Sequence, residues 1–442
     1  MRIIREANGL PARILGKQEF SGGGRLRLTT LSETADTADG RLFFHTLTGT
    51  MLLLSPEEDP NDPALRETLA HEWFLVPDAF DEIKTVDTLR ETVALMAPRE
   101  KHVTSFTILT TTDCNARCAY CYERGRKRIP MTVETAEKAA AYMRRASGGK
   151  KIHITWFGGE PLCNQPVMEL ISERLAETGA DFDSEIVTNG LLMTPETAEH
   201  AAKIWRLTKA QVTLDGPKDV YGRIKNYRNY SGDAYETVLA NLRGMLRAGI
   251  RVQVRINVVS GREETYFRLA EDLAARFKGE KRFIAVTAPV ADFQKGLPKE
   301  AERARLTASR LSLMERLDAL GLSTVGALSA SLAVSRCMAD NDSAEVILPD
   351  GRLGKCEHFS ESEIIGIIDE DTRDEALVQA FKERFAAFTE CKDCPLYPRC
   401  VNLKKCEWLP DGCIPSAKEA GRHTLRREMI AAYEAAAKKD AP

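Results

Sequence analysis

The chain has 442 residues, 43% of them hydrophobic and 29% charged, with a formal net charge of −3. That length accommodates two or three domains with sizeable cores, and the near balance of charge excludes the basic footprint of a nucleic-acid-binding protein. No apolar run approaches the ~18–20 residues that cross a bilayer, and residues 1–7 lack the apolar core of a secretory signal, so the chain reads as cytoplasmic, with neither a membrane nor a nucleic acid as partner.

Residues 1–100 read as a small α+β module. Two β runs within 40–54 flank a turn near Gly49. Helices are expected at 63–72 and 86–96, with the apolar stretch 73–77 between them. From 104 to 290 strand and helix patterns alternate. Strands are predicted at 105–109, 152–156, 184–187, 210–214, 252–258 and 283–286. Helices follow at 132–146, 167–178, 195–205, 235–248, 264–277 and around 299–320. Thr194-Pro195 supplies an N-cap and a first-turn proline to the third of these. Six β/α units define an α/β fold, a right-handed partial (β/α)6 barrel of the TIM type.

Eleven cysteines need a reason, because disulfides are not expected in a reducing cytoplasm. Cys163 reads as a small buried apolar residue. The other ten form two groups whose spacing fits metal or cluster ligation. Cys114, Cys118 and Cys121 follow the first strand with C-x3-C-x2-C spacing. Three thiolates hold three irons of a 4Fe–4S cubane and leave the fourth open, as in a catalytic metal site. Gly158-Gly159-Glu160-Pro161 follows the second strand, Thr188-Asn189-Gly190 the third and Asp215-Gly216-Pro217 the fourth. All four segments therefore fall at strand C-termini, the face on which barrel enzymes build active sites.

In these four segments the chain resembles the radical SAM (S-adenosyl-L-methionine) enzymes. The resemblance implies that the open iron chelates SAM. One electron, from a low-potential donor such as flavodoxin or ferredoxin, then cleaves SAM to methionine and a 5′-deoxyadenosyl radical that abstracts a substrate hydrogen. It also implies that Gly158 and Gly159 let the backbone approach closely, and that Glu160 accepts a hydrogen bond from the SAM ammonium. Asn189 would meet the ribose hydroxyls, Arg255 would pair with the SAM carboxylate, and the backbone at Tyr120 would meet the adenine. Plain alternatives stand beside these: an ordinary βα turn at Gly158-Gly159, a type I′ or II turn at Asn189-Gly190, and a surface position for Arg255. Asp215 is a candidate catalytic residue, as a substrate contact, or a turn former. The run Arg124-Gly125-Arg126-Lys127-Arg128 reads first as a solvated stretch; docking of an acidic electron donor or an acidic peptide is the alternative.

The second cysteine group is Cys337, Cys356 (four residues after Gly351), Cys391, Cys394, Cys400, Cys406 and Cys413. Residues 347–356 read as a hairpin turning at Asp350-Gly351, which would bring Cys356 to the barrel mouth. The group resembles the SPASM extension, which holds two auxiliary 4Fe–4S clusters. By that pattern Cys391, Cys394, Cys400 and Cys413 serve the outer cluster. Cys337, Cys356 and Cys406 serve an inner one with an iron left without cysteine. A structural zinc site on Cys391, Cys394, Cys400 and Cys406 is the alternative. Glu357 stands where sulfatase-maturing relatives carry an aspartate that takes the substrate proton, and His358 is a second candidate; both would otherwise cover the cluster.

The expected domains are 1–100, a leader-peptide grip or a structural cap; 101–310, the radical SAM barrel; and 311–442, the SPASM extension. The expected activity is maturation of a ribosomally made precursor peptide, with hydrogen abstraction followed by a thioether or other cross-link. Formylglycine formation by an anaerobic sulfatase-maturing enzyme is the alternative, weakened by Glu357 in place of aspartate and by the long N-terminal module. A non-catalytic zinc or iron–sulfur interaction protein is the alternative from another class.

Overall fold

The computed structural model describes all residues except 19–24, 60–61, 97–99, 291–297, 331, 359–362, 371, 407–411 and 441–442. In chain order the first part contains β1 (Arg2–Arg5), α1 (Gly9–Leu15), β2 (Leu26–Leu28), β3 (Ser32–Thr37), β4 (Gly40–His45), β5 (Met51–Leu54), α2 (Pro63–His71), β6 (Leu75–Pro77) and α3 (Glu82–Met96). Strands and helices then alternate through β7 (Ser105–Thr111), α4 (Val133–Ser147), β8 (Ile152–Gly158), α5 (Gln165–Glu177), β9 (Phe182–Thr188), α6 (Pro195–Lys203) and β10 (Leu207–Thr213). There follow α7 (Lys218–Lys225), α8 (Ala234–Arg247), β11 (Arg251–Val258), α9 (Glu263–Phe277), β12 (Phe283–Pro289) and α10 (Glu300–Ala319). The chain closes with β13 (Ala344–Ile347), β14 (Arg352–Gly354), β15 (Gly366–Ile367), α11 (Glu375–Lys382) and α12 (Pro415–Asp440).

Contacts divide these elements into two compact units: residues 1–99, 325–336 and 383–442 form one, and residues 100–324 and 337–382 the other. This differs from three consecutive domains, and packing gives the reason. Within the first unit, α12 buries Leu425 and Met429 against Leu42, Phe44 and Met51 of β4 and β5. Arg422 and Arg426 of α12 pair with the fully buried Glu33 of β3. Cys391, Cys394, Cys400, Cys406 and Cys413 therefore belong with the N-terminal module, whose sheet runs β1-β5-β4-β3. The expected turn between β4 and β5 is present, with Gly49 at φ +82°.

The second unit is built on a nine-stranded sheet in the order β12-β11-β10-β9-β8-β7-β13-β14-β15. The strands β7 to β12 are all parallel to their neighbours and match the six predicted from sequence. Their apolar runs are buried by helices: Phe106, Ile108, Trp156, Val212 and Val254 pack with Ala136, Ala139, Ala140 and Met143 of α4 and with Leu239 and Leu242 of α8. The spacing of the α4 residues is one helical face. Thr132 and Thr194 cap α4 and α6, accepting from Thr135 N and Thr197 N.

The 347–356 hairpin forms, as β13 and β14, and β13 joins the free edge of β7 in parallel. Its turn therefore lies toward the C-terminal end of β7. The second arm runs back, with Gly354 beside Val346, which faces Thr107. Cys356 follows β14, and the segment after it reaches the cysteine loop, where His358 meets Tyr122. The short helix α7 is an element that the sequence reading omitted.

Candidate functional site

Parallel strands place their C-termini on one edge of the sheet, and the segments singled out from sequence meet there. The cysteine loop leaves β7 beside the end of β8. Gly159 N donates to Thr111 O at 3.0 Å and Glu160 N to Asp113 O at 2.9 Å. A Cβ on Gly158, whose φ is +125°, would lie 2.2 Å from Thr111 O; one on Gly159 would lie 2.4 Å from Asp113 O. The double glycine is thus required by the cysteine loop itself, whose backbone lies against it.

Glu160 is fully buried. Its carboxylate accepts from Leu162 N (3.2 Å), Thr188 Oγ1 (2.7 Å) and Asn189 N (2.8 Å). Burial outweighs these bonds and raises its pKa. Asn189 in turn donates to Asn115 Oδ1 at 2.7 Å, inside the cysteine loop, and its Oδ1 accepts from Leu191 N at 3.1 Å. Glu160 and Asn189 therefore tie the ends of β8 and β9 to the loop that carries Cys114. The three thiols are half-buried. Burial, and then the Glu160 carboxylate, push the Cys114 thiol up to about 12; burial likewise raises Cys118 and Cys121. Thiols held protonated in this way bind metal with release of protons.

Beneath the loop lies an ion pair that sequence reasoning missed. Lys225, at the end of α7, sits 2.7 Å from Asp215 Oδ2, and both side chains are 2% exposed. Lys225 also donates to Thr213 Oγ1 (2.6 Å) and to Tyr120 OH (3.2 Å), and Tyr120 OH donates to Asp215 Oδ2 at 2.5 Å. Burial works against the charge on Lys225, but the Asp215 carboxylate prevails and holds its pKa well above the ordinary value. Asp215 is thus engaged by protein groups rather than presented to a substrate. Tyr120 is pinned from the side by Asn257 Nδ2 as well, at 3.3 Å. Arg255 lies two residues before Asn257 on β11 and donates to Asn257 Oδ1 at 3.0 Å. The only advance signal for Lys225 is its spacing: Tyr221 and Lys225 share a helical face.

After Cys121 the loop turns toward the segment that follows Cys356. The Tyr122 and His358 rings are 4.2 Å apart between centroids. Glu123 is buried, and burial raises its pKa to about 7; its Oε1 and the Tyr122 hydroxyl have no hydrogen-bond partner among the described residues. Glu357, half-buried, lies within the electrostatic reach of Tyr122. Cys163, read as buried, is exposed: its short turn buries Pro161 and Leu162 instead.

In the first unit, Cys391, Cys394, Cys400 and Cys413 line one cavity of about 490 Å³. Cys406 belongs to the same unit but is not among the lining residues; Cys337 and Cys356 belong to the other unit. Arg90 of α3 braces the cavity wall, donating to Cys400 O at 2.9 Å and to Tyr397 O. Among the described residues no three His, Cys, Asp or Glu side chains converge closely enough to grip a single ion. A cubane places irons and sulfides between its thiolates, so four thiols around an opening fit such a core better than the one-point geometry of zinc.

A three-thiol loop thus sits braced on the C-terminal edge of a mostly parallel α/β sheet. Residues 108–275 match the model of the Radical SAM superfamily. The radical SAM cyclopropyl synthase TigE of Paramaledivibacter caminithermalis is 25% identical over 159 residues, which cover 32% of each chain. The GTP 3',8-cyclase of Rhizobium etli is 28% identical over 167 residues, 36% of this chain and 45% of its own. The chain thus spans a third to under a half of these curated relatives. Two solved structures share the fold more widely. One is anSMEcpe with bound AdoMet and Cp18Cys peptide (15% identity, TM-score 0.56, 76% of this chain and 99% of that one). The other is Streptococcus suis SuiB bound to precursor peptide SuiA (13% identity, TM-score 0.50, 85% and 94%). At these identities the likeness is one of fold. No described helix is long and apolar enough to cross a membrane.

Proposed function

We propose that the chain is a radical SAM peptide maturase, which abstracts hydrogen from a residue of a ribosomally made precursor peptide and installs a thioether or other cross-link. The observation that carries this reading is the braced loop of Cys114, Cys118 and Cys121 on the sheet edge that also bears Gly158, Gly159, Glu160 and Asn189. Support for a peptide substrate comes from the fold likeness to two proteins solved with peptides bound. When bound, the 4Fe–4S cluster and SAM supply a 5′-deoxyadenosyl radical. The chain's own residues hold and orient them. Glu160 keeps one acceptor position for the SAM ammonium after its three protein bonds, and Asn189 faces the ribose. Arg255 pairs with the SAM carboxylate. Lys225 and Asp215 act as positioning residues through Tyr120, whose backbone meets the adenine. Glu357 takes the substrate proton.

The C-terminal cysteines serve auxiliary 4Fe–4S clusters of the SPASM type. The cavity lined by Cys391, Cys394, Cys400 and Cys413 suits the outer one, and Cys337 and Cys356 contribute to the other. The compartment that goes with this reading is the reducing cytoplasm, where cluster-ligating thiols stay reduced. Formylglycine formation in a sulfatase remains the second reading, in which Glu357 replaces the usual aspartate.

Anaerobically reconstituted, dithionite-reduced protein should release 5′-deoxyadenosine from SAM. With a short peptide encoded beside its gene, it should yield a product lighter by two hydrogens. Bound zinc with no nucleoside release would support a binding protein instead; a cyclised nucleotide made from GTP would move the substrate class to that of the curated relatives.

A further inference from the structure

The exposed side of the cysteine loop carries a concentration of positive charge that neither composition nor the local run accounts for. The whole chain is weakly acidic, at −3. Yet the Asp113 carboxylate, next to Cys114, is approached by three arginines: Arg128 at 3.2 Å, Arg117 at 3.4 Å and Arg228 at 3.7 Å. Arg228 comes from the loop after α7, more than 100 residues away in sequence. Its backbone N–H is fixed to Asn115 O at 2.7 Å. Arg117 bridges the patch and the loop, donating to Cys114 O and Ala116 O at 2.6 Å. Arg124 and Lys127 are exposed beside them. The carboxylates on the loop are Asp113 and Glu123, and Glu123 is buried.

A solvated basic run would spread its charges. Here the fold gathers cations from two distant segments around one half-exposed carboxylate, and Arg117 and the Arg228 backbone are bonded to the loop that bears Cys114. Like charges held together leave a focused positive field. We infer that Arg117, Arg124, Lys127, Arg128 and Arg228 form the docking surface for an acidic one-electron donor protein of the flavodoxin or ferredoxin type. The inference rests on the radical SAM reading of the cysteine loop. In the step served, a reduced flavin goes from hydroquinone to semiquinone, and its single electron enters the cluster held by Cys114, Cys118 and Cys121; no atom is transferred to the enzyme. Electrostatic complementarity of this kind governs encounter rate and salt sensitivity more than contact area does.

The test uses the reconstituted full chain and purified flavodoxin, with binding read by flavin fluorescence. Affinity should fall at least about tenfold between about 0.05 M and about 0.3 M salt. It should fall by a similar factor in the Arg124→Glu/Lys127→Glu variant at low salt, with Arg124→Gln/Lys127→Gln intermediate. Dithionite, which needs no docking site, should drive equal 5′-deoxyadenosine release in the wild type and both variants. Salt-independent binding, or unchanged affinity in the charge-reversal variant, overturns the inference. So does a variant that keeps flavodoxin but loses an acidic peptide substrate, since the patch then belongs to the substrate. Absence of nucleoside release from the wild type with dithionite strikes the radical SAM reading instead, and the binding measurement still decides the surface.

Discussion

Lys225 Nζ and Asp215 Oδ2 lie 2.7 Å apart in a site where each side chain is 2% exposed. Removing one partner of such a pair leaves an uncompensated buried charge, which costs about 3–5 kcal/mol. Lys225→Met is therefore expected to lower the unfolding free energy of the sheet-bearing unit, read by denaturant titration, by an amount in that range. Asp215→Asn combined with Lys225→Met should recover much of the loss, because both charges are then gone. Both variants release Tyr120 from its ammonium anchor and should weaken SAM binding even where stability is restored. A single variant as stable as the wild type would remove the pair from the scaffold of the loop.

The glycines after β8 offer a steric test. An alanine Cβ at Gly158 or Gly159 meets a backbone oxygen at 2.2 or 2.4 Å, so the cysteine loop has to move. Overpacking of this kind costs about 1–3 kcal/mol. Either substitution is expected to lower the melting temperature and reduce iron uptake on reconstitution, since the displaced backbone carries Cys114. Iron content equal to the wild type in Gly159→Ala would show that the loop holds its ligands without this contact.

Much of this site was legible in the sequence, for physical reasons that differ from residue to residue. The β7–β12 strands announce themselves as short apolar runs with turn residues at their ends, and a parallel sheet must put those ends on one edge. The roles of Glu160 and Asn189 were less legible. Both side chains are spent partly on each other's loops, which only the folded backbone brings together. Lys225 was invisible because a lysine in a short helix ordinarily points to solvent; burial follows from Asp215 lying above it. The division of the C-terminal cysteines escaped sequence order because β13 completes the edge of β7 while α12 completes the core over β4 and β5.

The cavity in the first unit separates two ligand sets. It is lined by Cys391, Cys394, Cys400 and Cys413, whereas a zinc site read from spacing would use Cys406. Cys413→Ala is expected to lower the iron content of reconstituted protein by about four atoms per chain and to bleach the corresponding charge-transfer absorption. Cys406→Ala should leave the cluster in this cavity in place. Loss of one zinc, with unchanged iron, in Cys406→Ala would favour the zinc set.

The N-terminal module carries a pH response of its own. His45, at the end of β4, is buried; its Nδ1 accepts from Thr48 N at 3.1 Å, and the Phe74 ring packs perpendicular to it with 5.7 Å between centroids. Burial lowers its pKa from 6.5 to about 3, against a raising backbone bond to Trp73. Below the unfolded value the unfolded chain binds a proton that the folded chain refuses, so stability is complete above about pH 6.5 and declines toward about pH 3. Each pH unit in that window corresponds to about 1.4 kcal/mol. Between about pH 6.5 and about pH 5, before most carboxylates titrate, the first unit should therefore lose about 2 kcal/mol. His45→Gln keeps an acceptor for Thr48 N but cannot take the proton, and its denaturant midpoint should be flat over the same interval. An equal slope in the wild type and His45→Gln would assign the acid sensitivity to other groups.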